Sequence, residues 1–307
     1  MKRLMILSIA VLLASCVQKG ITLDGEKTIS VGMQSYQKGD YKKAKEELKK
    51  AIFKSEGLTP RQIMDARFAL ADSYYNREEY VDAIAEFEEF ILLYPTSEKI
   101  PEALYKLSMS YMMVSPDYRR DLTYVKRAEE KAQELIESFP DSKFAIGGKE
   151  IIKKVNEIKA KHTLYIAETY EKYGKPYSAS IYYSEAYEKY RDYLKADYVA
   201  YKLAYNLSRI EYQYSGEIER YKERVKEIDK EIAEEKNLER KNVLLNRKKI
   251  LQDHINVLRD RMIKAREKAV EIIDFFPKVF PNSPYLFQIK ELEKESKVDS
   301  FIKNKHI

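Results

Sequence analysis

Leu70-Ala71-Asp72-Ser73-Tyr74, followed by Ala83, Phe87 and Pro95, is the stretch of this chain that decides its fold. Leu70 and Tyr74 lie four apart, as do Ala83 and Phe87, which puts each pair on one face of a helix. Pro95 supplies no backbone donor and closes the second helix. The stretch therefore reads as two helices joined by a short turn and held close by their alanines. The same register recurs at Val31-Gly32, Ala44, Leu48 and Ala51, and again at Ile166-Ala167, Tyr170, Ala179, Tyr183 and Ala186. Two further copies appear once an insertion is allowed between their helices. One runs Leu107-Ser108, Tyr111, then Ala128, Ala132, Leu135 and Pro140. The other runs Leu203-Ala204, Leu207, then Ala265, Ala269, Ile272 and Pro277.

The period resembles the tetratricopeptide repeat, in which each helix pair buries its neighbour's apolar face. The expected fold class is all-α: a tetratricopeptide-repeat solenoid of five helix pairs, with an antiparallel coiled-coil hairpin inserted in the fifth. Composition agrees. Charged residues make up 35% of the chain, Gly and Pro number 9 each, and no alternating β-branched run lies between turn pairs. The net charge of +6 is spread over interleaved signs, the pattern of solvated helix faces, so nucleic acid is not an expected partner.

The only cysteine, Cys16, closes Leu13-Ala14-Ser15-Cys16 after Lys2, Arg3 and the apolar run from Leu4 to Leu13. A charged start, a short apolar stretch and small residues before the break mark a secretory leader. The tetrad also resembles the bacterial lipobox, which implies cleavage before Cys16 and a covalent lipid on it. Acyl chains contribute roughly 0.8 kcal/mol per buried methylene, so two or more hold a protein stably on a membrane. Val17 stands where an Asp would favour inner-membrane retention under enterobacterial sorting rules, and that resemblance implies the outer membrane. A lone cysteine leaves no internal disulfide.

Five repeats behind a lipobox resemble the BamD family of outer-membrane assembly lipoproteins. The likeness rests on Tyr94-Pro95, on Phe139-Pro140-Asp141-Ser142, and on Tyr118-Arg119-Arg120-Asp121-Leu122-Thr123 in the third repeat. It rests also on Ala167-Glu168, Tyr170, Gly174, Tyr177 and Ala179 in the fourth. It covers Thr28 to Lys195 and resumes near Arg259, while Tyr214 to Leu258 has no counterpart in the usual pattern. The expected organisation is a signal peptide over 1–15 and a lipidated linker over 16–27. Repeats one to four with the first helix of repeat five fill 28–213, and the inserted hairpin 214–258. The rest of repeat five with a carboxy-terminal helix covers 259–295, and a tail 296–307.

Catalytic chemistry has no constellation to rest on. His162, His254 and His306 stand at no metal-ligand spacing, and no phosphate loop, nucleophile elbow or HExxH motif occurs. The expected protein is not an enzyme and carries no cofactor or metal beyond the lipid on Cys16. In tetratricopeptide repeats the first helices line a groove, and by register its positions here include Ile29, Met33, Tyr36 and Gln37. They continue with Phe68, Asp72, Tyr75 and Asn76, then Tyr105, Met109, Met112 and Met113. Aromatic and methionine side chains suit extended peptides with apolar side chains. The resemblance implies recognition there of the aromatic-rich terminal β-signal of unfolded outer-membrane proteins.

Ile218, Tyr221, Val225, Ile228 and Ile232 step by three and four, as do Leu251, Ile255, Leu258, Met262 and Ala265. These are the two seams of the hairpin, with its turn expected over Glu234 to Asn242. Lys236, Arg240, Lys241, Arg247, Lys248 and Lys249 stand at its tip with Glu239 as the only acid between them. That basic end is an expected contact for anionic headgroups or an acidic partner surface. The resemblance as a whole implies a lipid-anchored scaffold on the periplasmic face of the cell outer membrane. Its partners would be the barrel-forming assembly subunit, other assembly lipoproteins and unfolded outer-membrane proteins. The rival reading is a pilus-assembly or cell-envelope adaptor built on the same repeats. Replacing the lipid acceptor, Cys16→Ser, should leave the protein without lipid mass and shift it from the membrane pellet to the soluble fraction. An unchanged pellet, with no lipid mass in the parent protein, would overturn the lipobox reading.

Overall fold

The computed structural model describes residues 25–54 and 57–303, so Cys16 and the leader lie outside the described residues. Every regular element described is a helix. α1 spans 25–37, α2 Tyr41–Lys54, α3 Pro60–Asn76, α4 Tyr80–Leu93, α5 Ile100–Val114 and α6 Thr123–Ser138. α7 follows over Lys143–Lys172 and α8 over Pro176–Tyr190, with a 3-10 turn at Arg191–Tyr193. α9 covers Ala196–Ser208, α10 Ile210–Glu234, α11 Leu238–Val279 and α12 Leu286–Lys303.

The described residues form two compact units, divided between 158 and 159 inside α7. In the first unit α2, α3, α4, α5 and α6 pack in chain order, each on the next. The small residues of the register are where helices meet. Ala44, Ala51, Ala71, Ala83, Ala103, Ala128 and Ala132 are fully buried among Leu48, Phe87, Phe90, Leu104, Leu107 and Leu135. Gly32 shows how close the approach is: a Cβ built there would lie 2.9 Å from the Leu48 side chain. In the second unit α8 packs on α9, α11 on α9, and α12 covers both α9 and α11. Its core joins Ala167, Tyr183 and Ala186 to Leu203, Ala204, Ala265, Ala269, Ile272 and Phe276.

Two kinds of connection repeat along the chain. After α4, α6 and α11 comes an aromatic residue, a proline, one more residue and a serine: Tyr94 to Ser97, Phe139 to Ser142, Phe280 to Ser283. The proline ring disfavours helical backbone at the residue before it, and φ/ψ there is −130/54, −135/55 and −124/60. Each serine N–H donates back to the aromatic carbonyl at 3.0, 3.0 and 3.1 Å. Each serine Oγ then accepts the N–H two residues on, from Lys99, Phe144 and Tyr285. The Pro277 assigned to this role by register instead sits inside α11, and Phe280-Pro281 makes the stop. The second connection is a tight turn with left-handed backbone at Gly39, Glu78 and Gly174, where φ is 78, 61 and 65°.

Several boundaries differ from the sequence reading. Residues 25–27, read as linker, already belong to α1, and the tail's 296–303 continue α12. α7 runs unbroken because no Gly or Pro interrupts it between Gly148 and its end, and His162 lies well inside it. The hairpin turn is only 235–237, because Asn237 caps α11 by accepting the Arg240 N–H at 3.1 Å. The insertion has no separate end, since α11 passes without a break from the hairpin into the second helix of repeat five. Tyr214 and Ile218, at the insertion's start, are core residues of the second unit. The third repeat's insertion is the segment 115–122, in which Asp117 and Asp121 accept backbone N–H groups two residues on and Leu122 plugs the core.

Glu78 is the one non-glycine residue described with positive φ, a conformation that costs an L residue roughly 1–2 kcal/mol. Glu78→Gly should raise the melting temperature, whereas Gly174→Ala, with open space around the added methyl, should lower it. Thermal unfolding of both variants beside the parent checks the pair of opposite signs.

Candidate functional site

The first helices α1, α3 and α5 of the first unit are tied together by one polar relay. Tyr36 on α1 donates its hydroxyl hydrogen to Asp72 Oδ2 at 2.6 Å, and Lys106 Nζ on α5 donates to Asp72 Oδ1 at 2.5 Å. Lys106 also pairs with Glu102 one turn back, at 2.7 Å. Asp72 is 4% exposed, so its charge is held away from water and needs both donors. Burial, then the hydrogen bond that the hydroxyl donates to Asp72, pushes the Tyr36 phenol far above its ordinary range. For Lys106, burial alone would pull the pKa down, but the hydrogen bonds and charges of Asp72 and Glu102 outweigh it and the pKa is raised. Its contribution is present below the unfolded lysine value and lost only as pH climbs through the higher folded one.

Around this relay the sequence-predicted groove residues divide. Ile29 is core, and so is Phe68, 3% exposed and edge-on to Phe87 and Phe90 at 6.1 and 5.4 Å, with the Lys99 ammonium 4.7 Å from its ring centre. Phe68 is therefore no surface anchor: its register position points between the helices once α4 and α5 close over it. Asp72 has both oxygens engaged, and Asn76 donates to the Asp72 carbonyl oxygen. The side chains left for a ligand are half-buried or exposed: Met33, Tyr75, Tyr105, Met109, Met112 and Met113. Tyr75 stands edge-on to Tyr80 at 5.8 Å and its phenol is raised, first by burial and then by Tyr105 and Tyr80. Tyr105 is pinned from below by α7, where a Cβ on Gly147 would come within 2.5 Å of its ring.

Lys106 and Glu102 escaped the sequence reading. Lys106 precedes Leu107 of the repeat signature, and the signal that marks it is an acid at the groove position of the preceding repeat. The second unit repeats the arrangement. Lys202, preceding Leu203, pairs with Glu171, which also accepts from Asn206 and Tyr183 at 2.9 Å each. Burial raises the Glu171 pKa but those three donors outweigh it and the net shift is downward. The six basic hairpin residues do not form one patch. Lys248 is paired with Asp229 at 2.5 Å, and Arg240 and Arg247 share a hollow with Glu231, Glu234, Glu235 and Glu239. The acids of α10, which the sequence places before the turn, fold back beside the bases.

The model of the outer membrane lipoprotein family YfiO matches residues 25–228. A protein of Aquifex aeolicus, provisionally assigned as the outer membrane protein assembly factor BamD, is 34% identical over 266 residues, 87% of each chain. The chain belongs to the YfiO/BamD family. The outer membrane protein assembly factor BamD of Rickettsia prowazekii is 28% identical over 57% of this chain and 70% of its own. That of Pasteurella multocida is 24% identical over 48% and 60%. No helix among the described residues is long and apolar enough to cross a membrane, and no cluster of three or more metal-ligating side chains occurs among them.

Removing one partner of a buried ion pair typically costs about 3–5 kcal/mol, while replacing both by apolar groups costs far less. Asp72→Leu and Lys106→Met should each destabilise the protein, and the double variant should be more stable than the sum predicts, by about 1–3 kcal/mol. Chemical denaturation of the four proteins in a double-mutant cycle measures that coupling, and additive effects would show the relay to be unimportant.

Proposed function

We propose that this protein is a non-catalytic, lipid-anchored scaffold of outer-membrane β-barrel assembly, held at the periplasmic face by a lipid on Cys16. In this reading it binds the barrel-forming subunit and unfolded outer-membrane proteins. The observation that carries it is the relationship to BamD proteins along most of the chain, since they are named outer membrane protein assembly factors and the family is one of outer membrane lipoproteins. The geometry supports it at the first unit. The polar groups of α1, α3 and α5 satisfy one another, so the relay holds the helices in place. What they leave at the surface is aromatic and thioether, the chemistry that accepts apolar peptide side chains of varied shape. The hairpin extends the second unit and enlarges its surface for the barrel-forming subunit, and its mixed charge favours a polar contact over a basic one.

Aromatic anchors at a binding hot spot carry about 2 kcal/mol or more each. The variant Tyr75→Ala, Tyr105→Ala should bind peptides from the terminal β-strand of an outer-membrane protein at least thirtyfold more weakly, by fluorescence anisotropy, with its helical circular dichroism intact. Unchanged affinity would overturn the groove assignment. Failure of the barrel-forming subunit to co-purify after mild membrane solubilisation would instead favour the envelope-adaptor reading.

A further inference from the structure

The second unit has a trough of its own on the first-helix side, built from the carboxy-terminal part of α7, from α9 and from the start of α10. A cavity of about 740 Å³ lies there, and a smaller hollow of about 280 Å³ continues it between α9 and α12. Tyr205 and Arg209 line both, so the two hollows form one continuous surface.

The charges of this trough are unequally engaged. The two acids of the larger cavity are hydrogen-bonded within the protein, Glu171 by Lys202, Asn206 and Tyr183, and Glu168 by the Tyr198 hydroxyl at 2.9 Å, while Glu291 and Glu295 line only the smaller hollow, on α12. Two cations of the larger cavity stand apart. Lys172 and Arg209 are exposed and make no ion pair among the described residues. The Arg209 guanidinium lies 4.8 Å from the Tyr205 ring centre and donates to its hydroxyl, which fixes the cation beside an aromatic face. Tyr212, 87% exposed, and Phe287 stand in the lining of the two hollows. The larger cavity thus offers the positive charge of Lys172 and Arg209 next to the rings of Tyr205 and Tyr212, with its two carboxylates already hydrogen-bonded to other side chains.

We propose that this trough is a second peptide site, which takes an extended segment with an acidic side chain between Lys172 and Arg209 and an aromatic side chain on Tyr205 and Tyr212. Length supports a peptide over a compact anion. Packed helices lie about 8–10 Å apart, so three of them span roughly 20 Å, which an extended chain at about 3.3 Å per residue covers with about six residues. The site is separate from the face around Tyr75 and Tyr105, and it stands whether or not that face binds β-signals.

The test uses the full chain and an acetylated, amidated hexapeptide of alternating Asp and Phe, with a Lys-for-Asp peptide as its opposite. Anisotropy should show the acidic peptide binding at least tenfold more tightly than the basic one, with affinity falling as salt rises. Lys172→Glu, Arg209→Glu should reverse the preference, and since both side chains are exposed the fold should persist by circular dichroism. The variant Tyr75→Ala, Tyr105→Ala should bind the acidic peptide as the parent does. Equal affinity for the two peptides, no binding of the acidic one at millimolar concentration, or loss of binding in the Tyr75, Tyr105 variant would each overturn the proposal.

Discussion

Everything in this protein depends on helices approaching closely enough that no single pair hides its own apolar surface. Buried alanines at the contact points of α2, α3, α4, α5 and α6, and again in α8, α9 and α11, bring backbones together and leave large rings to fill the gaps beside them. Interiors pack as densely as organic crystals, so each such contact leaves little room for change. The cost is that a repeat is unfinished without its neighbour. In the second unit α12 supplies that cover over α9 and α11, and Ile289 and Leu292 join the core there.

Packing alone does not say where charges go, and here the first helices share an answer in both units. A lysine just ahead of the signature leucine reaches back to an acid on the first helix of the preceding repeat, and a tyrosine shares that acid: Lys106, Asp72 and Tyr36 in one unit, Lys202, Glu171 and Tyr183 in the other. Buried ion pairs add little net stability when compared with well-packed apolar groups, but they penalise any arrangement in which the partners are apart. They therefore act on register, fixing which turn of one helix faces which turn of the next. The aromatic-proline-serine connection performs a similar task at the other ends of the helices, setting the same exit three times.

Much of the fold was legible because it follows from spacing. The alanines and aromatic residues of five registered copies all lie on helices, and the seam residues Ile218, Ile228, Ile255 and Leu258 are buried. What spacing missed were effects of neighbours in space. Phe68 occupies a groove position by count, yet Phe87 and Phe90 enclose it. The basic hairpin residues look unopposed in the linear chain, but Asp229, Glu231, Glu234 and Glu235 come back beside them across the turn. Pro277 fits the signature offset, yet it sits inside α11 and the stop is made by the aromatic-proline pair that follows. Lys106 and Glu102 were hidden because charged residues are too common here for any one pair to stand out before the fold selects it.

One consequence belongs to α11. Its 42 residues run from the hairpin turn to the last repeat as a single helix, about 63 Å at 1.5 Å per residue, with no glycine or proline before Pro277. Bending such a rod sharply requires breaking backbone hydrogen bonds, and sharp kinks occur almost only at proline, glycine or bulges. A sideways push on the hairpin is thus borne by the same rod that carries Ala265, Ala269 and Phe276 in the core. The protein has a lever arm whose fulcrum is its own carboxy-terminal repeat, so load taken up at a distance acts on the packing of α11 against α9 and α12 rather than being absorbed in a joint.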